Sequence, residues 1–190
     1  MLTACSSNNE NDQSSQQSVV AEPQQSAETT KAINNEMAKV DSLQNLLDAQ
    51  TDSVEKTNTS KQIAKGFQNL SKYHKNTESE AKYLLKEAVV QHYDLKNVDE
   101  AFGLYKNLAD KFPESEYAGE AEFQVAMIIH QHYGDINKAV ALLSAFVEKH
   151  PNHERAPMAK QVIETANKTA DELMQEILKN NAEKVKAKNE

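Results

Sequence analysis

Two stretches of this chain share one spacing: Ala101-x3-Tyr105-x2-Leu108-x4-Pro113 and Ala139-x3-Leu143-x2-Phe146-x4-Pro151, set 38 residues apart. Self-similarity at a fixed period constrains a fold more tightly than composition does. Each repeat must be one supersecondary unit that hides its apolar side against the units before and after it. A step back by the same interval finds Ile63, Phe67 and Leu70, without the proline. In the preceding segments Leu43, Leu46 and Leu47 prefigure Ala81, Leu84 and Leu85, and Ala121 and Val125 map forward onto Ala159 and Ile163. Gln91-His92-Tyr93 recurs as Gln131-His132-Tyr133, two residues out of that period, which reads as two residues trimmed from the second turn.

Each unit reads as two helices. First helices are predicted near 41–56, 79–93 and 116–133, and second helices near 60–74, 98–112 and 136–150. Apolar residues at i, i+3, i+4 and i+7 line them, as in Val98, Ala101, Phe102, Tyr105, Leu108, Ala109 and Phe112. Thr77-x-x-Glu80 and Asn97-x-x-Glu100 have the form of capping boxes, and Asp135 can cap its helix. Ala101 and Ala139 are small enough to let two helices approach closely, while Tyr105, Leu108, Leu143 and Phe146 fill the gaps a turn later. Pro113 and Pro151 stop the second helix, because proline has no amide to continue it. After Pro157 a further helical pattern, Ala159, Val162, Ile163, Ala166, Ala170, Leu173, Met174, Ile177, turns polar in phase at Asn181 and Lys184. It is expected to cap the stack with a wet outer face, kinked near Asn167–Thr169. The fold class is therefore all-α: a helix-hairpin solenoid with a C-terminal capping helix and a disordered N-terminal tether.

A net charge of −8 argues against nucleic acid, which needs a basic stripe. No apolar run approaches the ~18 residues of a membrane span. Chemistry is sparse. There is no nucleophile elbow, phosphate loop, paired-glycine turn or HExxH pattern, and the four glycines are isolated. His130 and His132 point to different faces of a helix. His150-x-x-His153 spans a proline turn without a recognisable set of further ligands. His92 and His132 read as packing at the junctions. Neither a metal, a cofactor, a small-molecule substrate nor an enzymatic activity is expected.

The single cysteine, Cys5, follows Leu2-Thr3-Ala4 and precedes a run rich in Ser, Asn and Gln that lacks Lys and Arg up to residue 30. One cysteine cannot form an internal disulfide. A catalytic thiol needs a folded pocket with a base, and neither is at hand here. The segment that follows is too poor in apolar residues to offset its ordering entropy, so it reads as a tether.

Leu2-Thr3-Ala4-Cys5 resembles the lipobox of bacterial lipoproteins, a resemblance that implies lipidation of Cys5 and attachment to a bilayer. The Ala-x3-Tyr-x2-Leu-x4-Pro spacing resembles the second helix of the tetratricopeptide repeat, and Tyr133-Gly134-Asp135-Ile136-Asn137-Lys138-Ala139 is similar to that family's inter-helix turn. The period is longer than the family's, and its first-helix Trp is absent. Lys111-Phe112-Pro113-Glu114-Ser115-Glu116-Tyr117-Ala118 and His150-Pro151-Asn152-His153-Glu154-Arg155-Ala156-Pro157 resemble the inter-repeat junctions of BamD-type outer-membrane assembly lipoproteins and of YbgF/CpoB-type Tol-Pal-associated proteins.

These resemblances imply a lipid-anchored scaffold in an outer-membrane assembly or secretion complex of a Gram-negative bacterium, contacting other envelope proteins. Ser6-Ser7-Asn8-Asn9-Glu10-Asn11-Asp12 is only faintly acidic, which points to the periplasmic face. The alternative is an oligomeric Tol-Pal-type adaptor, in which Ile33, Val40, Leu47 and Val54 recur at seven as a short coiled coil. The expected organisation is a lipobox and tether over 1–30, an N-terminal helix (degenerate repeat or short coil) over 31–57, repeats over 58–152, and a capping helix with charged tail over 153–190. A solenoid's concave face, lined by the first helices, is the expected partner surface, with Lys82, Lys86, Gln91, Gln124 and Gln131 as candidate contacts.

Overall fold

The computed structural model describes residues 25–168 and, beyond them, Glu172, Met174, Gln175, Leu178 and Lys179. Cys5, the rest of the tether to residue 24 and most of the tail lie outside the described residues. Among the described residues seven α-helices follow one another: α1 Ala27–Ala49, α2 Ser53–Tyr73, α3 Glu78–Val89, α4 Val98–Lys111, α5 Ala118–Gln131, α6 Ile136–Lys149 and α7 Ala156–Ala166. A π-helical turn, Val90–Asp94, extends α3. Each helix packs on the one before it and the one after it, and no strand occurs among the described residues. The chain is an all-α stack of helix hairpins.

The repeat residues form the core. Ala101, Tyr105, Leu108, Ala139 and Leu143 have no exposed surface, and Phe146 is almost fully buried. One repeat earlier, Ile63, Phe67 and Leu70 are buried too, so the first hairpin stands in phase with the others. Three apolar clusters run through the stack. The first joins Ile33 and Val40 of α1 to Ile63, Phe67 and Leu70 of α2 and Tyr83 of α3. The second centres on Tyr105, Leu108 and Phe112, the third on Phe123, Leu143 and Phe146. Each large side chain so buried contributes roughly 1.5–3 kcal/mol relative to its exposed state.

The inter-hairpin junctions repeat atom for atom. Thr77, Ser115 and His153 each donate their amide to the carbonyl three residues back, those of His74 (3.2 Å), Phe112 (3.0 Å) and His150 (3.1 Å). Each then accepts, at its own carbonyl, from the amide three residues on: Glu80 (3.1 Å), Ala118 (3.0 Å) and Ala156 (2.9 Å). Pro113 and Pro151 stand just past the ends of α4 and α6, where no amide is needed.

Four sequence expectations require correction. The first helix, expected near 41–56 and within 31–57, runs from Ala27 to Ala49, so it begins inside the stretch read as tether. The Ser26 hydroxyl caps its start, and Asp52 caps α2 by accepting from the amides of Val54 (2.8 Å) and Glu55 (2.9 Å). The break therefore falls at residues 50–52 rather than near 58, and the Asp52-x-x-Glu55 pattern was its only local sign.

Second, Asn97 does not cap α4 with its side chain. Its amide nitrogen donates instead to Gln91 Oε1 at 2.9 Å. Third, Leu46 stays half exposed although its repeat partner Leu84 is buried.

Fourth, the two first-to-second-helix turns do not differ by two residues. Leu95 and Tyr133 both donate to carbonyls five residues back, those of Val90 (3.0 Å) and Ile128 (3.2 Å). Asn97 and Asp135 both donate to carbonyls six residues back, those of Gln91 (2.8 Å) and Ile129 (3.2 Å). Lys96 and Gly134 both have positive φ. The 38-residue phase runs unbroken, and His92 is matched by His130, not by His132.

α7 ends at Ala166, and the Asn167 amide donates back to the Ile163 carbonyl; the expected kink runs on to Thr169, outside the described residues. Leu173 and Ile177 lie outside them as well.

Candidate functional site

Helical spacing sorts α3 into two sides. Lys82, Lys86, Val89 and Tyr93 follow at i, i+4, i+7 and i+11 and are all exposed. Glu87 and Gln91 face the other way, into a cleft between α2 and the end of α3 that Lys65, Gln68 and Asn97 also line. The first stripe forms one face with α5 and α7. Tyr93 Oη donates to Gln124 Oε1 at 3.2 Å, and Gln124 Nε2 donates to Glu120 Oε1 at 2.7 Å. Arg155, just ahead of α7, donates through Nε to Glu120 Oε2 at 3.0 Å. This relay ties three consecutive first helices together along their shared face. The hydrogen bond to Glu120 raises the Arg155 pKa further above its ordinary value and keeps the guanidinium charged.

The five candidate contacts therefore separate. Lys82 and Lys86 are exposed on the first-helix face, with their ammonium groups over the rings of Tyr83 and Phe67 (6.0 and 5.3 Å to the centroids). Such placement holds the long side chains against aromatic surface while the charge meets solvent. Gln131 is exposed at the C-terminus of α5. Gln91 lies on the opposite side, in the cleft between α2 and the end of α3, and is withdrawn from the set. Gln124 is 5% exposed and fully engaged, so it joins helices and does not meet a partner. Helical spacing alone could not separate a buried relay from a solvated one, since a glutamine suits both.

Sequence inspection missed the carboxylates at the junctions. Glu80 accepts from Lys111 Nζ at 2.7 and 2.8 Å, and Glu78 accepts from the Ser115 hydroxyl at 2.6 Å. Glu122 takes Lys149 Nζ at 2.7 Å and His150 Nε2 at 3.0 Å. These bonds satisfy the histidine pair that had invited a metal. His153 Nδ1 accepts from the Arg155 amide at 3.1 Å, the same role that Ser115 Oγ plays toward Tyr117 at 3.1 Å. Among the described residues no group of three His, Cys, Asp or Glu is placed to hold a metal ion, and no helix is long and apolar enough to cross a membrane. His92 stacks on Tyr93 (4.4 Å between centroids) and meets the edge of Tyr105. Burial lowers its pKa, with smaller contributions from Lys96 and His132.

The tetratricopeptide-repeat family model matches residues 82–115, the segment from α3 through the π turn and α4 to Ser115. No match was found among curated proteins or solved structures. The chain thus carries a tetratricopeptide repeat within an all-α hairpin stack. Such repeats generally mediate protein–protein contact, and the fold is typically a non-catalytic scaffold.

Proposed function

We propose that this chain is a lipid-anchored scaffold on the periplasmic face of a bacterial outer membrane, held through Cys5 and engaging another envelope protein with the face formed by α3, α5 and α7. The exposed Lys82–Lys86–Tyr93 stripe, continued onto α5 by the Tyr93–Gln124 bond, is the observation that carries the partner surface. The Leu2-Thr3-Ala4-Cys5 box supports the anchor, and the junctions at 111–118 and 150–157 support an envelope assembly. Two or three acyl chains, at about 0.8 kcal/mol per buried methylene, would hold the protein on a bilayer.

The adaptor with an N-terminal coiled coil is less well supported. Ile33 and Val40, two of its seam positions, are buried against α2 in the same chain. Two experiments test the proposal. Mass spectrometry of the protein expressed in a Gram-negative host behind an added export signal should show acylated Cys5, and a bare thiol would remove the anchor. Crosslinking from native membranes should recover an envelope partner whose yield falls in the Lys82→Glu/Lys86→Glu double variant, and an unchanged yield would remove the surface.

A further inference from the structure

The other side of the stack carries a cleft that the scaffold itself does not require. It lies between α4 and α6, over α5, with a volume of about 480 Å³. Phe102, Ala109, Val125, Ile129, Leu142 and Ala145 supply its apolar lining. Lys106, Lys138 and Lys149, with Asp110 and Glu122, supply the charges.

The repeat provides an internal control. Four of these positions also line a cleft one period earlier, between α2 and the end of α3, with Ala64 for Phe102, Gln68 for Lys106, Glu87 for Val125 and Gln91 for Ile129. That cleft is polar and smaller, about 190 Å³. At these four positions, then, the hairpin stack forms with small or polar residues as well as with apolar ones. Leaving Leu142 and Ala145 exposed on α6, with half-buried Phe102 and Val125 below, has a solvation cost that only an occupant would recover.

The cleft's chemistry limits the occupant. Its walls are helices whose backbone groups are already paired, so no edge is offered to an extended peptide. A segment docking there must satisfy its own backbone, as a helix does. The lining charges sum to positive in a chain whose total is −8. Lys106 pairs with Asp110 and Lys149 with Glu122, whereas Lys138 has no carboxylate partner among the described residues.

We propose that the α4–α6 cleft docks an amphipathic helix of a partner protein, apolar on one face and acidic along the flank that meets Lys138. This goes beyond the first-helix surface above and uses the opposite side of the molecule.

The test uses the full chain and a fluorescein-labelled 14-residue helical peptide with leucines at i, i+3, i+4 and i+7 and glutamates on its flanks, beside a twin with lysines in place of the glutamates. Fluorescence anisotropy should show the glutamate peptide binding at least tenfold more tightly than its twin. Leu142→Glu, at an exposed position, should weaken binding at least tenfold, and Lys138→Glu should narrow the gap between the peptides. Lys39→Glu, on the exposed side of α1, should leave binding unchanged. Equal binding of the two peptides, affinity unaltered by Leu142→Glu, or no binding would overturn the proposal. A dimer in light scattering that Leu142→Glu splits would overturn it in favour of a second copy as occupant.

Discussion

Lys96 holds a left-handed backbone, φ +57°, at the position where Gly134 holds φ +70° in the next hairpin. Both residues end the first helix of a pair and reverse the chain into the second. A side chain in this conformation costs about 1–2 kcal/mol, a cost that glycine escapes. Lys96→Gly is therefore expected to raise stability by about 1 kcal/mol in chemical denaturation. Gly134→Ala should lower it by a similar amount. A loss of stability in Lys96→Gly would mean that the lysine side chain itself holds the turn.

Gly66 and Gly103 invite the same substitution with opposite results. A Cβ on Gly66 would lie 2.3 Å from Val40 Cγ2, where α1 and α2 cross, whereas a Cβ on Gly103 meets nothing within 4 Å. Gly66→Ala should overpack the first hairpin and cost about 1–3 kcal/mol. Gly103→Ala should stabilise by up to about 1 kcal/mol through helix propensity alone. In thermal unfolding Gly66→Ala should melt below the natural chain and Gly103→Ala at or above it; equal melting of the two would mean that α1 and α2 do not meet at Gly66.

Glu87 is buried in the polar cleft, with Gln68 Nε2 at 3.5 Å from its carboxylate. Burial, reinforced by Glu100, raises its pKa from 4.5 to about 7. A carboxyl whose folded pKa lies above its unfolded one favours the fold most when protonated. Its contribution is full below pH 4.5 and is lost as the pH rises through about 7. Glu87→Gln should remove that slope and gain on the order of 2 kcal/mol over the natural chain at pH 8. Parallel slopes in denaturation midpoints measured from pH 4 to 8 would show that Glu87 is solvated.

Ala101 and Ala139 have no exposed surface at the points where paired helices approach. Leucine at either position should overpack and cost about 1–3 kcal/mol. If both variants unfold at the natural temperature, those alanines are not the contact points.

The stack was legible in the chain because its main determinant is local. Apolar residues at helical spacing, small residues at the crossings and prolines after the second helices are properties of short windows, and 38-residue recurrence shows them belonging to one design. Ile63, Phe67 and Leu70 could be placed in the first hairpin on phase alone, and they are buried there. The exposure of the five candidate contacts was legible only in part. Lys82, Lys86 and Gln131 are exposed, while Gln91 and Gln124 turn away.

What the sequence by itself determined is the period, the helical class and the residues that fill the gaps between helices. Only the tertiary structure decided which histidine matches which, which glutamine is buried, and why Gly66 is a glycine. Each depends on the rotation of a helix between two neighbours. Backbone bonds across the turns align His92 with His130 despite the closer likeness of Gln131-His132-Tyr133. Gln124 is buried because α3 and α7 both reach it, through Tyr93 and through the Arg155–Glu120 pair. Local periodicity sets which side of a helix is apolar, but only contact with the helices on either side sets where that side points.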